Sequence, residues 1–479
     1  MATSEVNVTV DQEVASDRFE TVAEIRLDDP TRARVYEHGW QSWSPSGAYP
    51  ADLPASPRPR RAVWQTMAFR PERSAPSIGF ASEGLLAVAE AGVDGPTRLW
   101  LAVDPSRAVA TIRVRLVEDR LVVSSDGPVT EQPVATSLDA ALAGAGDHLA
   151  ATMSPRPIRA LGPGWCSWYG YWHDVTDAAV AENLAIIERE RLDVRLVQID
   201  DGYQATIGDW LEPSGRITSM ADLAGRIRAG GREAGVWTAP FLVGESSRVA
   251  REHPDWLVRE TLAAEHHWGQ RIRVLDVTHP DAAEHLTHVY RTLGQWGFAF
   301  HKLDFLYAGA MVGGRHGDAD PIAAYREGLR IIRAAVGDNA TILGCGAPLL
   351  SSIGLVDAMR VSPDTDHKVE PPDGDISQPS LRGALAAGRA RAWMHGRLWV
   401  NDPDCLIATP RSEDRETWAA HLAAYGGLAL SGDRLGQLDA RGLALTRTLL
   451  RPASGSLLRW EPESGPDGGQ IWKADEVRG

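Results

Sequence analysis

From Pro163 onward short apolar runs of strand length recur eight times, with stretches of helical character between most of them. The predicted strands cover 164–168, 195–200, 235–240, 299–304, 341–345, 358–361, 397–401 and 427–431, and helices are expected at 177–191, 220–234, 280–293 and 321–336. Near-continuous apolar strands joined by helices imply parallel pairing, because the crossover helices cover both faces of the sheet. Eight such units in about 290 residues fit a (β/α)8 barrel of the TIM type. The competing doubly wound sheet would carry a Gly-rich phosphate loop after its first strand, and none follows 164–168.

Residues 1–155 read differently. Alternating segments at 98–103, 110–117 and 119–124 are punctuated by turn-rich stretches such as Ser44-Pro-Ser-Gly, and the Pro-rich 50–61 reads as a loop. Period-two patterning with turns predicts an N-terminal antiparallel β-sandwich domain. The expected organisation is a sandwich at 1–155, a catalytic barrel at 156–450, and a short C-terminal tail or truncated β-segment at 451–479.

Polar chemistry gathers where the predicted barrel strands end. The second strand runs into Asp200-Asp201, the fourth ends Lys302-Leu-Asp304, the turn after the sixth holds Arg360 and Asp364, and the seventh runs into Asp402 and Asp404. Six carboxylates at one mouth repel, so cations or substrate hydroxyls must hold some of them, and Lys302 and Arg360 are at hand. Two carboxylates facing one cavity are the minimum for glycoside cleavage. Asp304, beside Lys302, suits the ionised nucleophile; Asp364, facing like charge and an apolar wall, suits the acid/base. A loop or helix-cap role is the competing reading for Asp402 and Asp404.

Composition narrows the partner. Net charge is −15, which argues against nucleic acid or an anionic membrane and fits a neutral small-molecule substrate. Cys166, Cys345 and Cys405 are odd in number and widely spaced, so a disulfide scaffold is not expected and a reducing, cytoplasmic compartment is. The Met-Ala-Thr-Ser-Glu-Val start does not read as a signal peptide, and no apolar run has membrane-span length. No metal-ligand spacing occurs among the 14 histidines, so neither metal nor cofactor is expected. Of 49 basic residues only Lys302, Lys368 and Lys473 are lysines, which singles out Lys302. Tryptophan is abundant at 17 residues, and its faces suit sugar C–H surfaces. Trp165, Trp168 and Trp237 are assigned to strands one and three, with Trp168 nearest the mouth; Cys345 reads as a small buried hydrophobe.

Motifs then add a resemblance. Gly164-Trp-Cys-Ser-Trp-Tyr, Asp200-Asp-Gly-Tyr, Trp237-Thr-Ala-Pro-Phe, Lys302-Leu-Asp-Phe, Gly344-Cys-Gly-Ala-Pro-Leu, Met359-Arg-Val-Ser-Pro-Asp-Thr and Trp399-Val-Asn-Asp-Pro-Asp-Cys resemble glycoside hydrolase family 36 α-galactosidases over about 36–450. Gly39-Trp-Gln-Ser-Trp-Ser resembles that family's N-terminal β-sandwich. The resemblance implies retaining double displacement on terminal α-D-galactosides such as melibiose or raffinose, with Asp304 as nucleophile and Asp364 as acid/base. It implies sugar binding by Asp200, Asp201 and Lys302, with Arg360 and Cys345 lining the site. Trp168 and Trp237 would form pocket walls, and Trp40 or Trp43 would reach in from the first domain. Two departures stand out: only about 29 residues follow the barrel region where the family has a C-terminal β-domain, and Thr-Asp-His-Lys-Val-Glu after Asp364 lacks an expected aromatic residue. The alternatives keep the same site: α-galactosyl transfer, α-N-acetylgalactosaminidase activity, or a catalytically silent galactose-binding paralogue. Assembly into a homo-oligomer is compatible with all of them.

Overall fold

The computed structural model describes residues 18–57, 69–70, 72–73 and 75–451 in full, together with the backbone of 458–464 and 470–476. Eight parallel strands form the centre: β1 (Gly164–Cys166), β2 (Leu196–Ile199), β3 (Glu233–Thr238), β4 (Phe298–Leu303), β5 (Thr341–Gly344), β6 (Ala358–Arg360), β7 (Val400–Asp402) and β8 (Leu430–Ser431). Their order is β7-β6-β5-β4-β3-β2-β1-β8, with parallel neighbours throughout. Closure runs through the segment after β7, where Leu406 bridges Ser431 in parallel. The result is the expected TIM barrel.

Local chemistry sets the helix boundaries. Helix Asp177–Glu190 starts where the Thr176 side chain accepts from the Ala179 N–H and stops where Arg191 turns left-handed. Helices Pro280–Trp296 and Pro321–Val336 begin on proline, whose missing N–H costs nothing at a helix start. The expected helix at 220–234 ends at Ala229, because 230 and 231 are both glycine, and Glu233 and Ala234 already belong to β3. The seventh and eighth predicted strands begin late, since 397–399 and 427–429 serve as approach loops.

Antiparallel sheets precede the barrel, as expected. Arg34–Glu37, Gly47–Pro50, Leu85–Ala89, Thr97–Ala102 and Val129–Glu131 form one; Glu20–Arg26, Phe80–Glu83, Thr111–Val117 and Arg120–Ser125 form the other. Leu85–Ala89 is buried on both sides. Leu86 and Val88 join the sandwich core with Trp100, Ile112 and Val123, while Leu85, Ala87 and Ala89 join the main core with helix Leu138–Met153. The sandwich is therefore fused to the barrel by apolar surface. The 50–61 loop reading holds for 51–57, apart from the Ala55–Gly79 bridge, while Pro50 closes the strand Gly47–Pro50; 58–61 lie outside the described residues. A two-stranded hairpin, Leu458–Ser464 with Gln470–Glu476, follows the barrel. Unread from the sequence was an excursion between β3 and β4: the antiparallel strands Leu242–Gly244, Gln270–Val274 and Ala264–His267.

Candidate active site

Barrel geometry delivers the predicted polar residues to one mouth. Asp200 and Asp201 follow β2, Lys302 lies near the end of β4 with Asp304 just beyond it, and Cys345 follows β5. Arg360 is the last residue of β6 rather than a turn residue, and Asp364 lies four residues on.

Lys302 is the hub of one side. Its Nζ bonds Asp200 Oδ2 at 2.9 Å, and both side chains are buried. Asp200 Oδ2 also accepts from Gln198 Nε2 at 2.6 Å and Cys166 Sγ at 3.4 Å, and Asp200 Oδ1 accepts from the Asp201 N–H at 2.9 Å. Burial would raise the Asp200 pKa, but the Lys302 charge and these donors hold it below the usual value. Burial likewise works against the ammonium, yet Asp200 and Asp304 keep Lys302 well above the ordinary lysine range. Asp304 accepts from Trp237 Nε1 at 3.0 Å and from the Phe305 N–H at 2.8 Å.

Arg360 is the hub of the other side. Its Nη2 bonds Asp364 Oδ1 at 3.0 Å and Asp404 Oδ2 at 2.5 Å. Asp404 Oδ2 also accepts from the Tyr169 hydroxyl and from the Thr365 N–H, the latter at 2.8 Å. Asp402 Oδ1 accepts from the Asp404 N–H at 2.9 Å. Asp404 thus clamps the loop that carries Asp364, Asp402 holds Asp404 in turn, and neither caps a helix. Asp404 sits at φ +94°, a strained conformation for a non-glycine residue. The Asp364 side chain keeps 35% exposure. Protein surrounds it otherwise, and that burial, reinforced by Asp404 and Asp304 and opposed by Arg360 and Lys302, raises its pKa to about 7. Burial first and the Asp304 charge second keep the Cys345 thiol well above its usual value, so no thiolate chemistry arises there.

Aromatic rings wall the space. Trp237 lies buried edge-on to Trp210 at 5.7 Å. Trp168 is not on strand one: β1 stops at Cys166, and Trp168 opens the short helix Trp168–Tyr171. The strand ends because Ser167 turns inward, its Oγ accepting the Asp200 N–H at 2.9 Å. Trp165, in β1, is core, with Nε1 donating to the Asp433 carbonyl at 2.8 Å. Trp43 stands edge-on to Phe305 at 4.8 Å and packs on Gly346, so it reaches the Asp304 side from the sandwich. Trp40 does not; it lies under the Arg70 guanidinium at 4.7 Å.

Several site residues escaped the sequence reading. Buried Arg391 grips the 38–46 loop, donating to the carbonyls of Ser42 at 2.6 Å, Ser44 at 2.6 Å and Gln41 at 3.2 Å, and to Val361 at 2.8 Å. That grip seats Trp43. Trp268, from the excursion, donates Nε1 to Asp201 Oδ2 at 2.7 Å and packs at 5.2 Å from Phe305. His173 meets the same oxygen at 3.0 Å, and that bond raises its pKa against partial burial. Gln204 Nε2 donates to Asp201 Oδ1 at 2.6 Å. Only Tyr169 had a signal, its place in the first motif.

A (β/α)8 barrel with ion-paired carboxylates and tryptophan walls at its C-terminal mouth has the layout of a glycoside-hydrolase barrel. Comparisons with known proteins show what the chain is similar to. The Melibiase family model matches residues 165–306. Among solved structures, TtGalA, an α-galactosidase from Thermus thermophilus in complex with stachyose, is 28% identical, with TM-score 0.76 over 90% of this chain and 92% of that one. The family 36 α-galactosidase AgaA from Geobacillus stearothermophilus shares the fold at TM-score 0.61, with 13% identity, covering 95% of this chain and 66% of its own. Among curated proteins, the bifunctional α-galactosidase/sucrose kinase AgaSK of Mediterraneibacter gnavus is 29% identical over 101 residues, 19% of this chain and 11% of that protein. The chain is similar to glycoside hydrolase family 36 α-galactosidases, as its motifs suggested.

Proposed function

We propose that this protein is a retaining exo-α-galactosidase. The carrying observation is the contrast between Asp304 and Asp364 at one barrel mouth. Asp304 is satisfied by donors beside an ammonium, whereas Asp364 is poised near pH 7 and senses the Asp304 charge. In the first step an Asp304 carboxylate oxygen attacks the anomeric carbon. The bond from that carbon to the leaving oxygen breaks, and Asp364 gives its proton to that oxygen. In the second step water attacks the glycosyl ester, Asp364 takes the proton, and Asp304 leaves as carboxylate.

Asp200, Asp201 and Lys302 are the proposed hydroxyl binders, Arg360 the group that sets the Asp364 carboxyl, Cys345 a lining residue, and Trp43, Trp168 and Trp237 the walls. Terminal α-D-galactosides of the melibiose and raffinose kind are the proposed substrates; TtGalA was solved with stachyose, which supports an oligosaccharide. We read the chain as a sandwich, a barrel and a short third segment at the boundaries expected from sequence. Three buried, unbridged cysteines suit a reducing, cytoplasmic compartment. Among the described residues no helix is long and apolar enough to cross a membrane.

Paired variants test the assignment. Asp304→Ala is expected to lose at least about 10³-fold in kcat on every α-galactoside. Asp364→Ala is expected to lose far more on melibiose than on a dinitrophenyl galactoside, whose leaving group needs no proton. Equal losses on both leaving groups would reject Asp364 as the acid.

A further inference from the structure

Among residues whose side chains are described, Trp172 is the one exposed tryptophan, at 45%. Its backbone is at φ 49°, ψ −135°, outside the helical and extended regions. Such a conformation in a bulky residue costs on the order of 1–3 kcal/mol and persists only where neighbours enforce it. Here a strained backbone holds an apolar ring in water, which core packing does not explain.

Its surroundings place it at the rim. The ring stands edge-on to Trp168 at 4.8 Å and to Tyr169 at 5.8 Å, and the backbone N–H of Trp172 donates to the Trp168 carbonyl. Tyr169 contacts Arg360 Nη2 at 3.4 Å, and Arg360 holds Asp364. The next residue, His173, bonds Asp201. Gly202, at φ +115°, lets the loop after β2 pack directly on the His173 backbone. Trp172 therefore rides on a loop fixed to both sides of the pocket, and it packs on the side that carries the acid.

We propose that Trp172 is a stacking platform for the second sugar ring, the one attached through the scissile oxygen. This rests on the α-galactosidase reading and adds a specificity-determining residue to it. An acid must lie beside the oxygen it protonates, so the leaving sugar occupies the Asp364 side, where Trp172 presents its open ring. A pyranose offers an apolar C–H face that covers an indole well.

The test compares raffinose with α-galactosyl fluoride, whose leaving group occupies no second-ring position. In Trp172→Ala the ratio of kcat/KM for raffinose to that for the fluoride is expected to fall about tenfold, through KM. Trp172→Phe, which keeps a ring, is expected to fall less than about threefold. A ratio unchanged within twofold, with the wild type active on both substrates, overturns the platform alone. An unchanged ratio with a smaller assembly by ultracentrifugation also overturns it and makes Trp172 an interface residue. A wild type inactive on the fluoride overturns the α-galactosidase reading and the platform with it.

Discussion

Replacing Lys302 with methionine probes the charge arrangement most severely. The substitution roughly keeps length and volume and deletes only the ammonium. Asp200, 2% exposed, would lose its 2.9 Å partner. Breaking a buried pair from one side costs about 3–5 kcal/mol, because a charge is left uncompensated. Gln198, the Asp201 N–H and Cys166 still donate to Asp200, so the expected loss is at the lower end, about 3 kcal/mol. That lies within the ~5–15 kcal/mol available to a typical domain, so the variant should fold. The pH dependence follows from the lowered Asp200 pKa. A lowered carboxyl contributes stability above its unfolded value near 3.9, and that contribution fades as pH falls through the folded value. The gap between wild type and Lys302→Met should therefore be widest between about pH 5 and 9 and shrink toward pH 3. Urea denaturation across pH measures it, and a cycle with Asp200→Asn should return a coupling of at least about 2 kcal/mol. A loss below about 1 kcal/mol that is the same at pH 4 and pH 8 would refute the reasoning.

Two further outcomes follow from the site. For melibiose, kcat/KM should fall as pH rises through about 7, because the raised Asp364 carboxyl is the protonated acid only below that value. The limb should vanish in Asp364→Asn assayed with a dinitrophenyl galactoside, and its persistence there would assign it to another group. Gly202→Ala should destabilise by about 1–3 kcal/mol. It places a Cβ 2.5 Å from the His173 carbonyl at φ +115° and should weaken melibiose binding through Asp201; an unchanged melting temperature and KM would count against that loop contact.

The barrel was legible because each strand is a short apolar run closed by polar residues, a pattern that survives without tertiary information. The placement of Asp304 and Asp364 at one mouth was legible for the same reason: strand ends in a parallel barrel converge. Trp168 was misplaced because three apolar residues around Ser167 read as more strand, while the bond from the Asp200 N–H to Ser167 Oγ turns the chain. Arg391 and Trp268 had no signal at all. Arg391 works through four backbone carbonyls, which any sequence offers, and Trp268 lies in a hairpin turn whose approach to Asp201 depends on how the excursion from Leu242 to Val274 folds back. The choice between Trp40 and Trp43 likewise needed the Arg391 grip on their loop.

The account's central claim is that Asp304 becomes covalently bound to the sugar. Incubation with 5-fluoro-α-galactosyl fluoride, whose intermediate turns over slowly, followed by peptide mapping, tests it directly. The expected result is one added fluorogalactosyl group per chain, on the peptide bearing Asp304, and none in Asp304→Ala. A stable label on any other residue, or rapid turnover to the β-anomer with no ester trapped, would contradict it.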